Sequence, residues 1–158
     1  MSYRLIFPFE ENRIHPTIAE EIRKQLNLDF GLVTSIPVLA RFLKADGSWR
    51  TVEMVFDTGA ALSLLPRYVG EEIGIKRYVN HKLTGISKRE ECLIPVRISK
   101  VRTNLIDSKG NSSPEFEIWV AFADRDDVPS VLGMKDIINN FRFKSDIKEK
   151  ALYLEWIR

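Results

Sequence analysis

An aspartate interrupts an apolar run in Val55-Phe56-Asp57-Thr58-Gly59-Ala60-Ala61-Leu62-Ser63-Leu64-Leu65-Pro66, and that interruption constrains the fold more than any other feature. The residues before it, Trp49–Phe56, read as a strand. A carboxylate leaving such a strand among apolar neighbours is expensive as a lone charge. Gly59 lets the backbone turn tightly and lets another group approach closely. Two explanations fit. Either the strand ends in an Asx-type turn, with Asp57 accepting from nearby backbone N–H groups, or the carboxylate is displayed for chemistry. Asp-Thr-Gly alone favours the turn, because short motifs carry false positives. The full apolar-apolar-Asp-Thr-Gly-Ala-x-x-Ser-apolar-apolar-Pro string is far more specific.

The rest of the chain has a matching β texture. Val33–Leu43 and Trp49–Phe56 flank Ala45-Asp46-Gly47-Ser48, a hairpin signal. Strand-like runs follow at Tyr78–Thr84 and Cys92–Leu105, the latter joined across Asp107-Ser108-Lys109-Gly110-Asn111 to Phe116–Phe122. In that last run Phe116, Ile118, Val120 and Phe122 alternate with Glu117, Trp119 and Ala121, giving one strongly apolar face. A short helix is expected over Pro66–Ile73, ended by Gly74. Val131-Leu132-Gly133 leads into a helical turn or two over Met134–Asn140. Phe141–Lys144 and Ala151–Trp156 read as closing strands, with Leu152, Leu154 and Trp156 on one face.

At the other end, Leu5–Phe9 reads as a short edge strand. Thr17-Ile18-Ala19-Glu20 is a capping box opening a helix to about Leu26, with Ile18, Ile22 and Leu26 on one side. The sum is an all-β domain, mostly strands with three short helices. A compositional break near Phe30-Gly31 separates an N-terminal strand/helix extension, residues 1–30, from the β body, residues 31–158. The apolar stripe of the helix favours an extra layer packed on the same domain over a lid or a removable propiece.

Composition closes several routes. With 158 residues and 44% hydrophobic content, the chain suits one globular domain that needs no metal or disulfide. Net charge is +2 and no Lys/Arg block is long, so no nucleic-acid partner is expected. Cys92 is the single cysteine, which rules out an intrachain disulfide and reads best as a small buried hydrophobe. His15 and His81 lack ligand spacing, so no metal is expected. A Ser/His hydrolase would need a Gly-x-Ser-x-Gly elbow, which is missing. The opening residues do not form a signal peptide and no stretch is apolar for long enough to span a bilayer, so the expectation is a cytoplasmic protein without a membrane partner.

Phe56–Leu65 resembles the active-site segment of retropepsins, the single-domain aspartic proteases of retroviruses, retrotransposons and their cellular relatives. Val131-Leu132-Gly133-Met134-Lys135-Asp136 resembles the late apolar-apolar-Gly segment that packs beneath the active-site loop in that family. Lys82–Lys88 falls where the family places its flap. The resemblance runs from about Ser35 to Trp156 and implies a closed, barrel-like acid-protease fold. It implies that Asp57 is catalytic, that Thr58 bonds across a dimer axis, and that Gly59 lines the cleft. Ala60 would leave room for a substrate side chain, Gly85 and Ile86 would belong to the flap, and Ser63, Leu132 and Gly133 would support the loop.

Pepsin-like relatives carry two such motifs in one chain, whereas this chain has one. Asp107-Ser108-Lys109-Gly110 reads as a plain hairpin loop rather than a degenerate second copy. The resemblance therefore implies a homodimer with Asp57 facing its own copy across a twofold axis. Two adjacent carboxylates share one proton and titrate as a pair. One activates water and the other protonates the carbonyl oxygen, with no cofactor and no metal. The implied substrate is a peptide or an unfolded protein, bound extended. Ala61 and Leu62 stand where retroviral enzymes often have acidic residues, which implies a more apolar cleft. The alternative is a catalytically silent peptide-binding or scaffolding domain on the same fold, against which the intact Asp57-Thr58-Gly59-Ala60 counts.

Overall fold

Alternation of apolar and polar residues drives the central hairpin. In the computed structural model, which describes residues 4–12, 16–29, 31, 33–84 and 93–157, strand β4 (Pro37–Leu43) buries Val38, Ala40 and Phe42 completely. Its antiparallel partner β5 (Trp49–Phe56) turns Val52, Met54 and Phe56 to the same side. The turn between them closes as expected. Lys44 N–H donates to the Ser48 carbonyl at 2.8 Å, Asp46 accepts from the Ser48 amide, and Gly47 takes φ 86°.

A six-strand ring grows from this hairpin. After β6 (Ser63–Leu65) come α2 (Arg67–Ile73), β7 (Val79–Leu83), the long β8 (Ile94–Ile106), β9 (Phe116–Ala123) and β10 (Val131–Leu132). The sheet order is β4-β5-β10-β6-β9-β8-β7, and β4 also pairs with β8, closing the barrel. The chain is mostly strand, and the expected closed, barrel-like all-β fold is the one observed. Phe42, Met54, Leu65, Leu105, Ile118, Phe122 and Leu132 fill the interior. α2 plugs one side, where Gly70 lies so near Phe122 that a Cβ would sit 3.0 Å from its ring. Gly74 ends that helix in the left-handed region (φ 77°), as its position predicts.

Below the barrel lies a three-stranded sheet, β1 (Arg4–Pro8), β12 (Ala151–Trp156) and β11 (Phe141–Asp146), in that order. Helix α3 (Lys135–Asn140) leads into β11. Leu5, Phe7, Leu152 and Leu154 join the main core. Phe116, Phe141 and Trp156 cluster with centroids 5.2–5.6 Å apart, Phe141 meeting both of the others edge to face, a geometry favoured by ring quadrupoles.

The remaining N-terminal elements are β2 (Glu10–Asn12), paired with β3 (Val33–Ser35), and helix α1 (Pro16–Leu26). The run read from sequence as one strand, Val33–Leu43, is thus two strands broken at Ile36-Pro37, and β2 was not foreseen. Pro37 begins β4 because it lacks a donor for an uninterrupted ladder. On α1, Ile18 and Leu26 remain 46% and 62% exposed, so its apolar stripe is largely uncovered.

Candidate active site

Asp57 occupies the exposed tip of a turn that the barrel holds from beneath. β10 is inserted between the two limbs of that turn. It runs parallel to β5, with Val131 opposite Val55 and Leu132 opposite Phe56, and antiparallel to β6, with Val131 opposite Leu64. The Asp57 amide donates to the Leu132 carbonyl at 3.0 Å. From the other side, Met134 N–H donates to the Ala60 carbonyl (2.8 Å) and Lys135 N–H to the Ala61 carbonyl (3.0 Å).

Ser63 and Gly133 lock this arrangement. The buried Ser63 hydroxyl accepts from the Gly133 amide at 3.0 Å. A Cβ on Gly133 would lie 2.5 Å from the Leu62 carbonyl carbon and oxygen and 2.9 Å from the Ala61 oxygen. Only glycine lets the two backbones approach this closely. Ser63, Leu132 and Gly133 therefore meet the Asp57 loop directly.

Within the turn, Ala60 N–H reaches the Asp57 carbonyl at 3.3 Å, and Gly59 N–H donates to Asp57 Oδ1 at 2.8 Å. That second bond is the Asx-type contact expected of a purely structural aspartate. Oδ2, however, has no hydrogen bond or ion pair among the described residues, and neither has the Thr58 hydroxyl. Asp57, Thr58 and Gly59 are exposed and Ala60 is half-buried. The loop thus combines a fixed backbone with polar side-chain atoms left open to an incoming group.

The flap expectation, Gly85 and Ile86, lies outside the described residues, as does Cys92. The hairpin leading to that segment is described: β7 and β8 pair from Val79↔Ile98 to Leu83↔Ile94. Among the described residues no group of three His, Cys, Asp or Glu side chains is placed to hold a metal ion, and no helix is long and apolar enough to cross a membrane.

Two features escaped the sequence reading. Phe143 on β11 packs edge-on against Phe56, the residue before Asp57, with centroids 6.2 Å apart, yet stays 39% exposed. Asp107, read only as part of a hairpin loop, is a buried hub. It accepts from the Ile6, Lys109 and Asn111 amides and from the Asn111 side chain. The Asp-x-x-Gly-Asn spacing signals the local turn; the link to Ile6, far away in sequence, leaves no local trace.

No protein-family model and no curated protein sequence matches the chain. Among solved structures it is similar to a crystal structure of a retropepsin-like aspartic protease from Rickettsia conorii. The two are 14% identical, the match covers 99% of this chain and 93% of that one, and the TM-score is 0.59. The chain has the retropepsin-like fold.

Proposed function

We propose that this protein is an aspartic endopeptidase that hydrolyses peptide bonds as a homodimer, with one Asp57 from each copy. The observation that carries this reading is the Asp57 turn. One carboxylate oxygen is anchored by Gly59, the other is open, and four backbone or hydroxyl contacts from residues 132–135 fix the loop. A purely structural Asx turn needs no such clamp. Holding a carboxylate still before reaction is what general acid–base chemistry demands.

Each residue then has a role. One Asp57 is ionised and takes a proton from water as that water attacks the carbonyl. The other is protonated and donates to the carbonyl oxygen of the tetrahedral intermediate. Thr58 bonds across the twofold axis, Gly59 meets substrate backbone, and Ala60 leaves space for a substrate side chain. Gly85 and Ile86 belong to the closing flap. An extended peptide or unfolded protein is the substrate, and the cytoplasm, which keeps a lone thiol such as Cys92 reduced, is the location.

The seam of the dimer is β11. It is an end strand of the lower sheet, and the opposite edge, β1, already gives its Ile6 amide to Asp107. The Ile157 amide bonds the Asn140 carbonyl, which sets the ladder so that Phe143 and Ser145 point their backbone groups away from β12. Antiparallel pairing of two β11 strands would satisfy those groups and bring the Phe143–Phe56 contacts of both copies together.

The test compares wild type with Asp57→Asn on an unfolded protein across pH 3 to 8, reading cleavage by mass spectrometry. Cleavage that disappears in a folded, dimeric variant supports the protease. A dimer inactive at every pH supports the silent peptide-binding alternative. Equal cleavage by both proteins sinks the assignment to Asp57.

A further inference from the structure

Away from the Asp57 loop, a groove of about 840 Å³ runs between the end of β4, the segment after α2, and the outer face of β8 and β9. Five cationic side chains, Lys44, Lys76, Arg77, Lys100 and Arg102, line it, and among the described residues no carboxylate does. The whole chain has a net charge of only +2, so a lining with five cations is locally more basic than the chain as a whole. Lys44, Lys100 and Arg102 have carboxylate neighbours outside the groove at 3.7, 3.2 and 3.7 Å. These pairs are solvent-exposed and weak. Lys76 and Arg77 form no ion pair among the described residues.

The groove is built before any ligand arrives. Ala45 N–H donates to the Ile73 carbonyl at 2.8 Å, fixing the β4–β5 turn to the end of α2. The buried Ser99 hydroxyl donates to the Arg77 carbonyl at 2.7 Å, fixing the opposite wall to β8. Ile73 and Val101 form a buried apolar floor, while Tyr78 and Trp119 stay 43% and 37% exposed.

We infer that this groove binds an acidic, extended peptide segment of a partner polypeptide, with carboxylates at alternate positions and apolar or aromatic residues between them. Lys100 and Arg102 are both exposed and stand two residues apart on β8, so their charges repeat about every 7 Å. Side chains on one face of an extended peptide repeat at the same interval. Tyr78, Trp119 and the apolar floor receive the intervening residues.

β7 separates a peptide from other polyanions. It ends the barrel sheet with an edge open among the described residues, and Val79 belongs both to that edge and to the groove. A peptide can add main-chain hydrogen bonds there; a nucleic acid cannot. This binding does not require Asp57.

The test is fluorescence anisotropy with a labelled heptapeptide alternating Glu with Leu and Tyr, against the same peptide with Gln for Glu. Wild type and Asp57→Asn should bind the acidic probe equally and bind the Gln probe at least about tenfold more weakly. Arg77→Glu and the double variant Lys100→Gln/Arg102→Gln should each lose about tenfold. Amide shifts in the wild type, which depend on no variant folding, should cluster at residues 76–79 and 98–102. Equal binding of both peptides, shifts clustered elsewhere, or folded variants that bind undiminished would overturn the assignment. A thymidine decanucleotide that displaces the peptide and binds more tightly would reassign the groove to nucleic acid.

Discussion

Gly133 and Leu62 approach so closely that a single methyl group on Gly133 would overlap the Leu62 peptide carbonyl at 2.5 Å. The residues are distant in sequence and belong to different limbs of the structure, one leaving β10 and the other entering β6. Their contact makes the position of Asp57 depend on a glycine that is not in its own loop.

Gly133→Ala should therefore damage both stability and activity. The clash is with backbone, which cannot rotate aside, so β10 must shift. A loss of about 3 kcal/mol is expected, the upper part of the usual overpacking range. Urea denaturation measures the loss; wild-type stability in the variant would contradict the packing argument.

Ser63→Ala isolates the polar half of the same lock. The substitution leaves the buried Gly133 amide without its acceptor, at a cost of about 1–3 kcal/mol. The fold should survive with a looser Asp57 loop. Proteolytic activity should fall more than stability alone accounts for, while hydrogen exchange at Gly133 and Met134 accelerates. Unchanged exchange there would show that the hydroxyl holds nothing in place.

Much of this was legible because the signals are local. Alternation in Phe116–Phe122 specifies that Phe116, Ile118, Val120 and Phe122 of β9 face the core, and the Phe56–Leu65 string marks the turn that carries Asp57. What was not legible depends on long-range pairing. β10 has two residues and no periodicity of its own; the resemblance of Val131-Leu132-Gly133 puts it beneath the Asp57 loop, but its pairing with both β5 and β6 is set by tertiary contacts. The basic groove is similar. Lys44, the pair Lys76-Arg77, and Lys100 with Arg102 come from three separate segments and form no long run, so composition shows a nearly neutral chain. The apolar stripe on α1 is a third case, since periodicity identifies a helix face without identifying what covers it.

Acid should loosen the N-terminal strand through Asp107. Burial raises the affinity of this carboxyl for a proton. The Asn111 side chain and the amides of Asn111, Ile6 and Lys109 outweigh it, and the net effect is a pKa below the ordinary value of 3.8. A folded-state pKa below the unfolded one means stability that is fully present above about pH 4 and lost as pH falls through the folded value. Asp107→Asn should flatten this acid limb of the stability curve and speed exchange of the Ile6 amide. An acid limb of unchanged steepness would exclude Asp107 as its source.

Phe143 provides the sharpest test of the dimer seam. Cutting the chain after Ser145 would be uninformative, because it removes β12, the central strand of the lower sheet, along with the fully buried Leu152 and Leu154. Phe143→Glu instead leaves the sheet intact and changes only a partly exposed side chain. Its folding cost should be small, about 1 kcal/mol for the lost ring contact with Phe56. Two symmetry-related glutamates at a β11–β11 seam would repel each other, and like charges placed opposite in a ladder are destabilising. On the proposed seam, sedimentation should show a dimeric wild type and a folded monomeric variant, and cleavage should fall with the dimer fraction. A dimeric, active Phe143→Glu protein would place the twofold axis elsewhere while leaving the role of Asp57 standing. A monomeric variant with full activity would instead show that one Asp57 suffices, and the two-carboxylate mechanism would have to be abandoned.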